Sequence, residues 1–365
     1  MNIATAIINL DAFAHNLAVI SGKAPTSQVW AMVKANAYGH GLVATAKALA
    51  DKVHGFGVAR FEEALALRKE NISTPIMLLE GFFTAKEVPA LAAYNLQTVV
   101  HCHEQLEMLE QATLAKPLQV WLKIDTGMHR LGIRPEDFAQ VKARLEACVN
   151  VAKPLNFISH FGCADEFEKS TTNEQITLFS ELTANTQGKK SLAASSGLFF
   201  WPQSHFDMVR PGIALYGVSP LSNQRGKELG LIPAMTMKSH LIAVRHGKKG
   251  ESIGYGGHYT LKQDTKLGVV AMGYGDGYPR NAPNGTPVWI NGRIVPLAGR
   301  VAMDMLTVDL GASASDKVGD EVTLWGENLP VEQVADFIGT IGYELVTNIT
   351  SRVALLYLSA NTNGL

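Results

Sequence analysis

Short apolar runs alternate with amphipathic stretches through the first 225 residues, and this alternation restricts the fold more than any other feature of the chain. QVWAMVK is followed by a helical pattern from about Ala44 to Leu49, and GFGVAR by FEEALALRKE. PIMLLE, LQTVVH, LQVWLKID, LNFISHF and a last run near DMVRPG continue the rhythm, with the clearest helical patterns over Glu104–Leu114 and Pro135–Cys148. Strands that alternate with helices in this way form parallel sheets, and runs apolar at every residue suit strands buried on both faces. About eight such units fit a (β/α)8 barrel better than an open doubly wound sheet. The first strand-to-helix turn also lacks the GxGxxG fingerprint of a dinucleotide fold.

Beyond residue 225 the pattern changes. MKSHLIAVRHG, KLGVVAMG, TPVWINGRIVPLAG, MLTVDL and DEVTLWG are short, rich in Val and Ile, and punctuated by Gly and Asn. They predict a C-terminal, mainly antiparallel β-domain with one helix near Val331–Phe337. The expected organisation is therefore a barrel over 1–225 and a β-domain over 226–365, with a linker between Pro220 and Gly230. An N-terminal strand within residues 1–10 is expected to pack on the β-domain. A chain of 365 residues has room for both, and its hydrophobic fraction of 47% supplies the core and argues against disorder.

Composition also excludes function classes. Lys and Arg (32) nearly balance Asp and Glu (33), so there is no basic stripe for nucleic acid and no acidic tail. Cys102, Cys148 and Cys163 are odd in number and lack metal-type spacing, which predicts free thiols and no metal site. The start, MNIATAIINLDAF, places no basic residue ahead of a long apolar stretch, and no run is long enough to span a membrane. The expectation is a cytoplasmic protein without a nucleic-acid or membrane partner.

Several charged residues fall at expected strand ends. The run Val29 to Val33 stops on Lys34, and small residues with Tyr38, His40 and two glycines follow before a helical pattern near Leu42. Lys34 has two readings: a lysine snorkelling to water, or a partly desolvated amine poised to form an imine with a carbonyl. Lys123 closes another strand with Arg130 in the loop beyond, His160 ends ISH, and Arg210 follows FDMV. The C-terminal rim of a barrel is where such enzymes assemble their chemistry. VRPGIALYG adds backbone N–H groups at Gly212 and Ile213, where barrels often hold phosphate. An amine able to form an imine beside a phosphate cradle points to pyridoxal phosphate.

AMVKANAYGHG, KIDTGMHRLGI, ISHFGCAD, VRPGIALYG, SIGYGGHYT, GYGDGYPR and GRVAMDML together resemble segments of bacterial alanine racemase, a fold-type III pyridoxal-phosphate enzyme. They stand in that family's order and span nearly the whole chain. The resemblance implies a barrel followed by a β-domain, pyridoxal 5'-phosphate as cofactor, and interconversion of L- and D-alanine. The product would serve peptidoglycan synthesis or the reaction would take part in alanine catabolism. Lys34 matches the lysine that holds the cofactor and exchanges the D-side Cα proton. Tyr255 matches the opposing base, with His160 and Arg210 in a hydrogen-bonded chain to it. Arg210 faces the pyridine nitrogen in the family. Tyr38, Ser195, Gly212 and Ile213 match the phosphate-contacting set.

Arg130 matches the arginine that reaches the cofactor's phenolic oxygen and the substrate carboxylate, and Lys123 a lysine carbamylated in some members. Met303 matches a residue whose backbone N–H meets the substrate carboxylate, and Tyr274 an entryway tyrosine. The resemblance further implies a head-to-tail homodimer with shared sites. Two positions depart from it: Ala194 stands where many members have Asn, and Ser351 where some have Tyr. A racemase of wider specificity, acting also on serine, stays open for that reason. A non-catalytic pyridoxal-phosphate-binding barrel would need no second domain bearing Tyr255. A related decarboxylase of basic amino acids would place a reactive cysteine in the β-domain, whereas all three cysteines lie in the barrel half.

Overall fold

The structure is a computed structural model that describes residues 4–359. Its strands in chain order are β1 Thr5–Asn9, β2 Gln28–Met32, β3 Gly55–Val58, β4 Ile76–Leu78, β5 Leu96–Val100, β6 Val120–Lys123, β7 Asn156–Ile158, β8 Lys190–Ser191 and β9 Met208–Val209. The series continues with β10 Met235–Gly247, β11 Ser252–Ile253, β12 Tyr259–Thr260, β13 Thr265–Val270, β14 Pro287–Ile290, β15 Arg293–Pro296, β16 Leu306–Asp309, β17 Glu321–Trp325 and β18 Ala354–Leu358.

An eight-stranded parallel barrel runs in the order β8-β7-β6-β5-β4-β3-β2-β9. Register pairs such as Met32 with Gly57, Val58 with Leu78 and Lys123 with Ile158 bring the strand ends level on one rim. Asp207 N–H donating to Lys190 O (3.1 Å) and Arg210 N–H donating to Ala193 O (2.9 Å) join β9 to the β8 side. Every residue of β3, β4 and β6 is buried, which is why these runs read as unbroken apolar stretches rather than alternating ones. The expected alternation holds, with differences at element ends. The helix expected over Glu104–Leu114 spans His103–Gln111, because Ala112 is already extended. Pro135–Asp137 forms a 3-10 turn that leads into the helix Phe138–Ala147, proline supplying a preset φ at the start. β8 escaped the sequence reading: two residues, one of them lysine, leave no apolar run to detect.

Two compact units result. One comprises Leu17–Ala37 and Leu42–Leu215; the other comprises the N-terminal segment to Asn16, Tyr38–Gly41 and the chain from Tyr216 onward. The boundary expected after residue 225 thus falls inside the second unit. Packing explains the difference. A Cβ on Gly217 would stand 1.8 Å from Ile232 O, and the buried Glu332 carboxylate accepts hydrogen bonds from Ser219 N–H (2.9 Å) and Gly226 N–H (2.8 Å). The stretch expected as a linker is therefore bound into this unit.

In the second unit, the main sheet runs β15-β14-β17-β10-β1-β18, with β13 on β10 and β16 on β13. The N-terminal strand β1 lies between β10, antiparallel, and β18, parallel. β10 is long enough to serve both β1 and β17 at one end and β13 at the other, and its first half alternates buried with half-buried residues. Trp325 stacks on Tyr278 in its core (6.1 Å between centroids). The helix Val331–Ile338 ends on Gly339 in the left-handed region, φ 83°. The three cysteines are free thiols, and among the described residues no helix is long and apolar enough to cross a membrane.

Trp121 tests the barrel core: it is fully buried, edge-on to Trp30, with its indole N–H donating to Gln97 Oε1 at 2.8 Å. Trp121→Ala should lower the stability by about 3–5 kcal/mol, measured by urea unfolding of the purified protein; an unchanged midpoint would contradict this packing.

Candidate active site

Lys34 leaves β2 one residue after Val33 and enters a turn of unusual hand. Ala35 (φ 53°), Asn36 (φ 54°), Ala37 (φ 54°) and Tyr38 (φ 52°) lie consecutively in the left-handed helical region, and none is glycine. Each such residue costs about 1–2 kcal/mol against the right-handed form. Hydrogen bonds hold the turn: Ala37 N–H donates to Val33 O (2.9 Å), Leu42 N–H to Asn36 Oδ1 (2.9 Å), and Ala35 N–H to the Glu63 carboxylate (2.6 Å). Burial, and then the nearby Arg130 charge, lowers the Lys34 ammonium below its ordinary range; Glu80 and Glu63 act in the opposite sense. Partial desolvation at the strand end thus weakens the charged form of the amine, the direction that favours nucleophilic chemistry.

Around it the barrel rim is cationic. Lys123, at the end of β6, is buried, and desolvation together with Arg210, Arg130 and Lys34 pushes its amine down to about 7. Arg130 is exposed in the loop Asp125–Ile133. That loop is tied at its base by Ile133 N–H to Lys123 O (2.8 Å) and Asp125 N–H to Ile133 O (2.9 Å). Inside it, Asp125 Oδ1 accepts from Gly127 N–H (3.1 Å) and His129 N–H (3.0 Å). Burial opposes the charge on Asp125, yet these N–H donors hold its carboxyl below the usual range.

Arg210 is the most enclosed of the group. Its guanidinium donates to Ser191 Oγ (2.5 Å), Ser159 O (2.6 Å), Leu192 O (3.3 Å) and His160 Nδ1 (3.3 Å). Burial lowers its pKa to about 9, which still leaves it charged at neutral pH. For His160, burial followed by the charges of Arg210, Lys123 and Arg130 depresses the pKa well below the ordinary value. A guanidinium can only donate, so Nδ1 of the neutral ring is the acceptor and Nε2 carries the proton.

An oxygen cradle lies beyond β8 and β9. Ser195, the first residue of the helix Ser195–Phe200, accepts from Gly212 N–H (3.0 Å) and Ala214 N–H (3.3 Å) on its Oγ. Ile213, between these two donors, is fully buried. Ala194 sits at the N-cap of that helix and supplies no side-chain cap. A serine hydroxyl is thus gathered with backbone N–H groups just past Arg210, the kind of donor set that can hold the phosphate of a cofactor such as pyridoxal phosphate.

Other expected residues belong to the second unit. Tyr38 is buried there, stacked on Tyr216 (4.8 Å) and flanked by Tyr343. Tyr255 is 72% exposed on a turn that needs positive φ at Gly254 and Gly256. Tyr274 and Met303 are also exposed, and their backbones meet: Gly275 N–H donates to Met303 O (2.8 Å) and Tyr274 N–H to Ala302 O (3.0 Å). A Cβ on Gly254 would stand 3.6 Å from Arg300 N, so the segment Arg300–Met303 runs from the Tyr255 turn to the Tyr274 turn. Ser351 is exposed beside Arg352, whose guanidinium pairs with Asp276 (3.1 Å) and Asp304 (2.9 Å) and braces the Tyr274 turn.

Sequence reasoning missed the supports. Ser159, Ser191, Thr126 and Gln175 form a buried polar network beneath the rim, in which Ser159 Oγ donates to Ile124 O (2.7 Å) and Gln175 donates to His160 O (3.0 Å). The available signal was a serine before the histidine in ISH, and a polar Ser191 in a stretch with no strand character. Asp125 was legible as an Asx turn in KIDTG.

Comparison with known proteins places this arrangement. The alanine racemase N-terminal domain family matches residues 8–220 and the alanine racemase C-terminal domain family residues 234–357. An alanine racemase of Vibrio cholerae is 61% identical over 360 residues, 99% of each chain, and one of Vibrio parahaemolyticus is 60% identical over 357 residues, covering 98% of this chain and 99% of its own. Among solved structures, the biosynthetic alanine racemase of Pseudomonas aeruginosa superposes with a TM-score of 0.95 at 44% identity, over 98% of this chain and 100% of that one. An alanine racemase of Acinetobacter baumannii gives 0.92 at 35% identity, over 98% and 100%.

The buried Lys123 sets a pH dependence. Its amine titrates near 7 in the folded protein and at its ordinary 10.5 when unfolded, so the unfolded chain holds the extra proton between these values. The resulting destabilisation is complete below the folded value and is relieved as pH rises toward the unfolded one. Lys123→Met removes it. The variant's stability advantage over the parent, measured by urea unfolding, should shrink between about pH 7 and about pH 10; an advantage constant with pH would contradict the buried-cation account.

Proposed function

Because this chain belongs to the alanine racemase family, we propose that it interconverts L- and D-alanine with pyridoxal 5'-phosphate on its barrel rim, Lys34 and Tyr255 serving as opposing bases. The observation that carries this reading is the grouping of Lys34, Lys123, Arg130 and Arg210 on one rim, with the Lys34 ammonium disfavoured by its surroundings. Lys34 would hold the cofactor, and Ser195, Gly212, Ile213 and Tyr38 its phosphate. When bound, the cofactor supplies an electron sink for the carbanion left by removal of the Cα proton.

The chain's own residues then account for the stereochemistry. A single base returns the proton to the face it left, so inversion needs a group on each face. Lys34 serves the D-side face and Tyr255 the other. A phenol with an ordinary pKa of about 10 is a weak base at neutral pH; the His160 Nε2–H, itself oriented by Arg210, offers a hydrogen bond that favours phenolate. Arg210 would lie toward the cofactor's ring nitrogen, and its guanidinium, being a donor that holds its own protons, would leave that nitrogen unprotonated. Arg130 and the Met303 backbone N–H receive the substrate carboxylate, and Tyr274 narrows the entry.

Tyr255, Met303 and Tyr274 share one exposed segment system of the second unit. Their exposure supports a head-to-tail homodimer in which the β-domain of one protomer completes the barrel site of its partner. Two measurements test these proposals. Tyr255→Phe should lose racemisation by at least about 100-fold while still exchanging the Cα proton of D-alanine in deuterated water; loss of both activities with cofactor bound would contradict the two-base assignment. Mixed dimers of Lys34→Ala with Tyr255→Phe should regain turnover that neither variant has alone, since one of the two shared sites is then intact; no recovery in verified mixed dimers would contradict shared sites.

A further inference from the structure

The left-handed turn after Lys34 cannot hold itself. Four non-glycine residues in that region would relax toward the right-handed form unless something outside the turn opposes it. Two of the three hydrogen bonds noted above join neighbours in sequence: Ala37 N–H to Val33 O and Leu42 N–H to Asn36 Oδ1. The third crosses to another element, the helix Phe61–Lys69, where Glu63 Oε1 accepts from Ala35 N–H at 2.6 Å. The other oxygen of that carboxylate accepts from Ala59 N–H (2.9 Å) and Arg60 N–H (3.1 Å), at the exit of β3.

β2 and β3 are neighbours in the barrel, and their backbone ladder runs up to Val33 N–H donating to Gly57 O at 2.9 Å. Past that bond, the Glu63 carboxylate links the two exits. A glutamate at this position of a helix needs only the Arg60 N–H to complete a capping box; the bond to Ala35 goes beyond that duty. Both oxygens are engaged, and hydrogen bonds to an ionised acceptor are about twice as strong as neutral ones. The carboxylate's charge also opposes the lowering that burial and Arg130 impose on the Lys34 amine.

We propose that Glu63 is a positioning residue for Lys34, clamping the left-handed turn to the exit of the adjacent strand so that the amine is presented at one place on the rim. The proposal rests on the reading of Lys34 as the cofactor-holding lysine. It distinguishes Glu63 from an ordinary helix cap, whose loss would loosen only its own helix.

Amide hydrogen exchange of the holoenzyme tests it. Glu63→Gln removes the charge, and Glu63→Asp keeps the charge but falls short of bridging both exits. In either variant, peptides covering Lys34–Tyr38 should exchange roughly 10- to 100-fold faster while other barrel strands stay protected, and kcat should fall with KM for alanine little changed. Faster exchange confined to Ala59–Lys69, or a turn as protected as in the parent, overturns the proposal. Cofactor absorbance of Lys34→Ala separates the underlying reading. Undiminished binding there would remove the role of Lys34, while the exchange result would still decide whether Glu63 holds the turn.

Discussion

The buried guanidinium of Arg210 is the interaction on which most of this structure converges. A charge taken out of water must be matched by acceptors or be neutralised. Here the acceptors are Ser191 Oγ, Leu192 O and Ser159 O, which lie on or just after β8 and β7, while Arg210 itself follows β9. One side chain thereby joins three strand ends at the place where the barrel closes. The same geometry fixes His160, because a donor-only group at Nδ1 forces the ring proton onto Nε2. Barrel closure and the orientation of a proposed acid–base relay are one arrangement.

A second constraint is the crowding of like charge. On top of burial, Arg210, Arg130 and Lys34 each push the Lys123 amine down, and Arg130 and Arg210 lower the Lys34 amine, which destabilises the protein alone and favours an anionic occupant. The strained turn after Lys34 adds to this conformational cost. Strain and buried charge gathered at one site are common where a protein is organised around a ligand rather than for stability, and the polar network of Ser159, Thr126 and Gln175 receives Arg210 at Ser159 O and holds the His160 carbonyl through Gln175.

Much of the barrel was legible in the sequence, because strands buried on both faces print as unbroken apolar runs. The rim residues were legible too, being charges at the ends of those runs, and the family motifs added Tyr255 and Met303 from the β-rich half. The failures have physical causes. β8 is two residues long and carries Lys190, so it has no hydrophobic signature. The left-handed turn is built from Ala, Asn and Tyr rather than glycine, against local preference, and the bond that ties it to another element comes from Glu63, far away in sequence. Glu63 looks like any acidic residue in a first helical turn, since its partner Ala35 is distant in sequence. Gly226 falls in the stretch Pro220–Gly230 expected as linker, whereas a close backbone approach to Gly217 O binds it into the second unit.

The central claim is that this chain racemises alanine. The most direct measurement is incubation of the purified holoenzyme with L-alanine, followed by chiral chromatography of the amino acid over time. The account predicts that D-alanine accumulates until the two enantiomers are present in equal amounts. An enzyme that carries its cofactor and yet leaves L-alanine unchanged would contradict it.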